Sequence, residues 1–130
     1  MAHAELDNHD TAWSSATRFA IEVIAWVAGP WAAADLAGSG WVAVPVLIAL
    51  VAVPAIFSTP GDKNQVVVAT PGPIRVAIEL GLLGVALVAS SLVWPGWVVA
   101  IVVLLGIAMV VTGRSRWRWL LVNNLTGIYS

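Results

Sequence analysis

Long apolar runs separated by short polar breaks set the rhythm of this chain. Four runs approach the roughly 20 apolar residues that a transmembrane helix needs, with about 17 as the lower limit. They cover residues 19–37, 41–57, 74–94 and 97–113. The pattern predicts an all-α integral membrane protein folded as a four-helix bundle. Residues 36–40 and the pair Pro95-Gly96 read as tight turns. The middle link, residues 58–73, reads as a loop, with turn clusters at Thr59-Pro60-Gly61-Asp62 and Thr70-Pro71-Gly72-Pro73. Between them Val66-Val67-Val68 is too short to span. Pro30, Pro45 and Pro54 fall inside apolar runs, which lipid tolerates when neighbouring helices re-satisfy the freed carbonyls.

Composition strengthens the membrane reading. Of 130 residues, 60% are hydrophobic and 10% charged, against about a quarter charged in soluble domains. A chain this short cannot hide so much apolar surface in its own core. The net charge of −1 gives no pointer to nucleic acid, and with no cysteine there are no disulfides, thiolate metal sites or cysteine nucleophiles. Residues 1–17 are polar and acidic and do not read as a secretory signal; they are expected to form a loose cytoplasmic tail. His3 and His9 in that tail are expected to be solvated side chains, so no metal site is predicted.

Charge also sets an orientation. Arg18, Lys63, Arg75, Arg114, Arg116 and Arg118 are all six of the basic residues. With four spans they all fall on one side, and the positive-inside rule places both termini and the middle link in the cytoplasm of a cell (inner) membrane protein. Trp31, Trp41, Trp94 and Trp97 then lie at the outer ends of the spans, and Trp13, Trp117 and Trp119 near the inner face, as aromatic belts do. Only Trp26 falls near mid-membrane. The tail at residues 114–130 begins Arg-Ser-Arg-Trp-Arg-Trp and reads as a stop-transfer anchor, or as a site for anionic lipid.

The two halves resemble each other. Arg18-Phe-Ala-Ile-Glu22 matches Arg75-Val-Ala-Ile-Glu79, and Gly40-Trp41 matches Gly96-Trp97. Residues 18–57 and 74–113 are therefore expected to be parallel repeats of one transmembrane hairpin, related by an axis along the membrane normal. Arg18-Phe-x-x-Glu22, Phe57-x-x-Pro60 and Arg75-x-x-x-Glu79 together resemble the YrdB-like family of small bacterial membrane proteins of unknown function. The likeness covers roughly residues 17–112 and leaves out both tails and much of residues 62–73. It implies a fold and no chemistry.

Intramembrane ionisable groups are costly and mark function by default. Glu22 and Glu79 each follow an arginine by four residues, one turn along the same helix face. The plain reading is two ion pairs that pin helix ends, each arginine snorkelling to the interface. The functional reading follows two stripes at helical spacing: Arg18, Glu22, Trp26, Gly29, Ala33 and Arg75, Glu79, Leu83, Ala86, Ser90. Facing inward, these would bring Glu22 and Glu79 together across the repeat axis. Two carboxyls in a dry site cannot both ionise cheaply, so one keeps a proton, although the arginines oppose this. Asp35, near the outer end of span one, reads as a wetted turn residue before a proton relay.

Three functions follow from this set. One is binding of a lipophilic small molecule, with Arg18, Trp26, Arg75 and Ser90 as ligand contacts. There Glu22 and Glu79 would initiate a cofactor-free isomerisation or terpenoid cyclisation, with Trp26 facing a developing cation. A second is a proton-coupled transporter similar in size to the small multidrug resistance proteins, from which the shallow, arginine-paired Glu22 departs. A third is a non-catalytic scaffold or accessory subunit. Membrane lipids are the expected partners, and Gly81, Gly84 and Gly106 would serve either self-association or packing within one chain.

Overall fold

The computed structural model describes residues 11–59 and 68–123. They form α1 (Ala12–Ala37), a 3-10 turn (Gly40–Val42), α2 (Ala43–Ile56), α3 (Gly72–Val93), α4 (Gly96–Thr112) and α5 (Arg114–Asn123). Two strands of two residues, β1 (Phe57–Ser58) and β2 (Val68–Ala69), pair in parallel between α2 and α3. The ends of the middle link are thus tied together where a loop was expected. The Thr70 amide donates to the Ser58 carbonyl at 2.9 Å and the Thr59 hydroxyl to the Thr70 carbonyl at 2.7 Å. The histidines of the N-terminal tail, Lys63, and most of the Val66-Val67-Val68 run lie outside the described residues.

The architecture is all-helical. By length and composition α1 and α3 can cross a membrane, and α4 with α5 makes a third if the pair is one span bent by 53°. This suggests a membrane protein. Taken alone, α2 and α4 run to 14 and 17 residues, each short of the ~30 Å hydrocarbon core at 1.5 Å per residue. Large apolar side chains face outward along both. The only buried residue of α2 is Pro54, and α4 buries only Val102, Gly106 and Met109.

Helix α1 begins at Ala12, well inside the stretch expected to be a loose tail. The Thr11 side chain accepts from the Ser14 amide at 3.0 Å and caps the first turn. The Thr17 hydroxyl donates back to the Trp13 carbonyl at 2.9 Å, so a polar run that reads as tail carries its polarity inside the helix. At the far end Gly38 adopts φ 69°, the left-handed value that favours glycine. The Ser39 amide then reaches the Ala34 carbonyl at 3.1 Å and closes a Schellman-type stop.

Helices α1 and α3 form the central pair, with α2 and α4 against them. Small residues set that contact: Ala28, Ala32 and Ala89 make one buried cluster, and Ala25 and Ala86 join Ile21, Leu82, Val102 and Met109 in the other. Without Cβ branching the backbones approach closely, which is how helices associate where water supplies no drive. Gly106 belongs to the same packing, since a Cβ there would meet Leu83 Cδ1 at 2.9 Å. Gly81 and Gly84 do not: a Cβ on either would meet nothing within 4 Å.

Pro54 has no amide to give the Leu50 carbonyl, four residues back. The indole Nε1 of Trp26, from α1, donates to that carbonyl at 3.0 Å. Trp26 thus repairs a neighbouring helix. Its ring also meets Phe19 edge-on at 6.2 Å.

Candidate functional site

The most concentrated polar cluster among the described residues lies at the start of α3. Glu79 is 1% exposed and Arg75 fully buried. Arg75 Nε donates to Glu79 Oε2 at 2.9 Å, the pairing within one turn that the motif predicts. The remaining partners come from α5. Arg116, also 1% exposed, straddles the carboxylate, with Nη1 to Oε1 at 2.6 Å and Nη2 to Oε2 at 2.7 Å. Trp117 Nε1 donates to Oε1 at 2.9 Å. Four N–H donors therefore converge on one carboxylate, about the number an ionised carboxylate can accept. A proton on either oxygen would face an N–H already pointing at it.

Arg75 also reaches back to α2. Its Nη1 donates to the Pro54 carbonyl at 2.7 Å and to the Phe57 carbonyl at 3.0 Å. These carbonyls belong to the last turn of α2 and its cap, where no intrahelical donor remains, and a cation there also suits the helix dipole. One buried arginine thus ties α2 to α3 and holds Glu79 in place. Its Nη2 and the Ser58 Oγ are buried without a hydrogen-bond partner among the described residues.

Helix α5 meets α3 this closely because of Gly72. A Cβ there would sit 1.6 Å from the Leu120 carbonyl oxygen. Gly113, just ahead of α5, forms a buried stripe with Arg116 and Leu120, while Arg114 and Arg118 are exposed. By sequence alone Arg116 is one of three equivalent anchor charges. Its spacing to Gly113 and Leu120, three and four residues away, is the available sign that it faces inward.

The expected site residues separate into different roles. Arg75 and Glu79 are together in the cluster. Arg18 and Glu22, the first copy of the motif, are half-buried on α1, and each makes interactions of its own. The hydrogen bonds of Glu79 go to Arg75, Arg116 and Trp117 and not to Glu22. Trp26 serves the Leu50 carbonyl. Ser90 is fully buried and donates to the Leu87 carbonyl of its own helix at 3.2 Å. Asp35 is exposed in the last turn of α1, inside the helix rather than in the turn after it, and its backbone carbonyl accepts from the Gly38 amide at 3.3 Å. No group of three or more potential metal ligands occurs among the described residues.

An apolar hollow lies apart from this cluster. A cleft of about 420 Å³ opens between α2 and α3 over α1, lined by Gly29, Leu50, Gly84, Val85 and other apolar residues. A second hollow of about 270 Å³, which shares Leu50 and Val85 as wall residues, is bounded by Val53, Pro54, Ile78 and Gly81. The size of the first is that of a small-molecule site. Comparison of the chain with models of known families, with curated proteins and with solved structures gives no match.

Proposed function

We propose that the protein is a four-span membrane protein that binds a small lipophilic molecule in the cleft between α2 and α3. It would be built as two parallel hairpin repeats, with both ends on the cytoplasmic side of the cell membrane. The observation that carries the binding reading is the cleft itself: an apolar furrow along two helices, with Gly81 and Gly84 leaving its wall bare. The orientation rests on the placement of all six basic residues.

The Glu79 cluster supports a structural role. A carboxylate that accepts four N–H bonds has no proton to give, so acid-initiated isomerisation or cyclisation draws no support from it. Proton-coupled transport through Glu79 meets the same objection. The protein is therefore read as a binder, without a catalytic step.

Native mass spectrometry of protein purified in mild detergent tests the binding reading. Wild type is expected to carry an apolar small molecule, and Gly84→Leu is expected to lose it. A Cβ at this position meets nothing within 4 Å, and leucine raises helix propensity, so the variant is expected to fold. A molecule retained by Gly84→Leu would place binding outside the cleft. The topology has its own test, since the chain has no cysteine. Ser39→Cys should react with a membrane-impermeant maleimide added outside cells, and Ser115→Cys should not.

A further inference from the structure

We infer that the outward face of α5 is a docking surface for the headgroups of anionic phospholipids, held by Arg114 and Arg118. This rests on the membrane reading of the helices and is independent of the cleft between α2 and α3.

Arginines alternate at positions 114, 116 and 118, and the fold divides them. Arg116 is sealed against Glu79. At 3.6 residues per turn, Arg118 stands on the side of α5 opposite the buried stripe of Gly113, Arg116 and Leu120. Arg114 lies one turn before Arg118 on the same face, and both are exposed. Neither has a carboxylate partner among the described residues. The hydrogen bond of Arg114 runs from Nε to the Val111 carbonyl at 3.4 Å. The described carboxylates are engaged or distant: Glu79 is filled by its four donors, Glu22 makes interactions of its own, and Asp35 lies at the other end of α1. Two cations one turn apart and not neutralised by the fold are complementary to an anionic phosphodiester, which the guanidinium fork suits.

The surroundings suit a membrane boundary. The apolar run of α4 stops where the arginines begin, and α5 departs from it at 53°. Farther along the outward face are Leu121 and Val122, 43% and 64% exposed. The start of α1 adjoins this end. The Thr17 and Thr112 hydroxyls are 3.3 Å apart, and a Cβ on Gly113 would lie 3.5 Å from Ser14 Oγ. Trp13, next to Ser14, is 76% exposed, an aromatic of the kind that sits at headgroup level. Helix α5 is also held firmly, by Leu120 against Gly72 and by Arg116 and Trp117 on Glu79, so little backbone ordering opposes binding. The acidic residues Glu5, Asp7 and Asp10 of the same chain are the competing occupant. A lipid suits the face better, because Leu121 and Val122 beside the arginines gain from acyl chains and not from carboxylates.

The test uses full-length protein in mild detergent, titrated with phosphatidylglycerol or phosphatidylcholine and read by native mass spectrometry. Both lipids carry a phosphate, and only the first has a net negative charge. Wild type is expected to prefer phosphatidylglycerol by roughly 20-fold, with Arg114→Gln and Arg118→Gln each reducing the preference about fivefold and the double variant abolishing it. Phosphatidylglycerol should raise the unfolding temperature of the wild type and not of the double variant. Without lipid the two should unfold together, since both arginines are exposed. Gly84→Leu should keep the preference.

Equal binding of the two lipids by the wild type would overturn the proposal. A preference that survives the double variant would move the lipid to other residues and overturn it too. Loss of the preference in Gly84→Leu would place the lipid in the cleft instead. A preference that emerges only in Glu5→Gln/Asp7→Asn/Asp10→Asn would assign the face to the chain's own N-terminal segment. Labelling of Ser115→Cys from outside cells would overturn the orientation proposed above and leave the measured lipid preference standing.

Discussion

The chain contains the same charged motif twice, and the two copies have different fates. Arg18 and Glu22 sit half-buried on α1, whereas Arg75 and Glu79 are sealed from solvent on α3. The difference comes from the segment attached to the end of each hairpin. After α2 the chain turns back through the β1–β2 ladder into α3. After α4 it enters α5, which folds under α3 and brings Arg116 and Trp117 to Glu79. The two copies therefore share a spelling on a helix, while their surroundings are decided by the segments that follow. A buried ion pair is costly to break, and charges that solvent reaches cost less to remove.

The largest effect should come from opening the second copy. Arg116→Ala or Glu79→Gln is expected to cost about 3–5 kcal/mol, because each leaves a buried charge without its partner. Glu22→Gln should cost no more than about 1 kcal/mol. Thermal unfolding in detergent measures all three, and equal losses would erase the distinction between the copies. Next comes Gly72→Ala, which puts a methyl into the Leu120 carbonyl and must push α5 away. A loss of about 1–3 kcal/mol is expected, together with a shift in tryptophan emission as Trp117 leaves Glu79. An unchanged spectrum would mean that α5 is not what seals the second copy.

An effect of similar size tests how α2 is held. Trp26→Phe strands the Leu50 carbonyl and should cost about 1–3 kcal/mol. Adding Pro54→Ala restores an amide four residues along, so the double variant should recover much of that loss. Additive losses would show that the indole bond contributes little. Smallest is Thr17→Val, which removes a 3.3 Å hydroxyl contact between α1 and Thr112 of α4. A change of about 0.5–1 kcal/mol is expected, measured in the same unfolding series.

The helices were legible because long apolar runs with few charges mark helices whose outer faces are apolar. Span boundaries at residues 74 and 97 fall within two residues of the observed starts at Gly72 and Gly96. The start of α1 was hidden, since Thr11, Ser14 and Thr17 look like tail residues until their side chains are seen to bond the helix backbone. Within the site, Arg75 and Glu79 were legible because their contact spans one turn. Arg116 and Trp117 were not, since they reach Glu79 from 37 and 38 residues away. Local periodicity carries no information on such a contact, and the basic run around Arg116 offered a sufficient reason for its charge. Trp26 and Ser90 had the right spacing for a ligand stripe, yet both bond backbone carbonyls.

Pro54 has a consequence for how the protein is made. Most helices enter the bilayer with their backbone bonds already complete. On the proposed four-span topology α2 cannot, because its Leu50 carbonyl is met by a side chain of α1, and its Pro54 carbonyl and the Phe57 carbonyl of its cap by a side chain of α3. As the chain leaves the ribosome, α1 is already present to supply Trp26, but Arg75 emerges only after α2 has been released. The last turn of α2 should therefore stay among headgroups or the insertion machinery until α3 arrives, so the second hairpin completes the first rather than simply joining it.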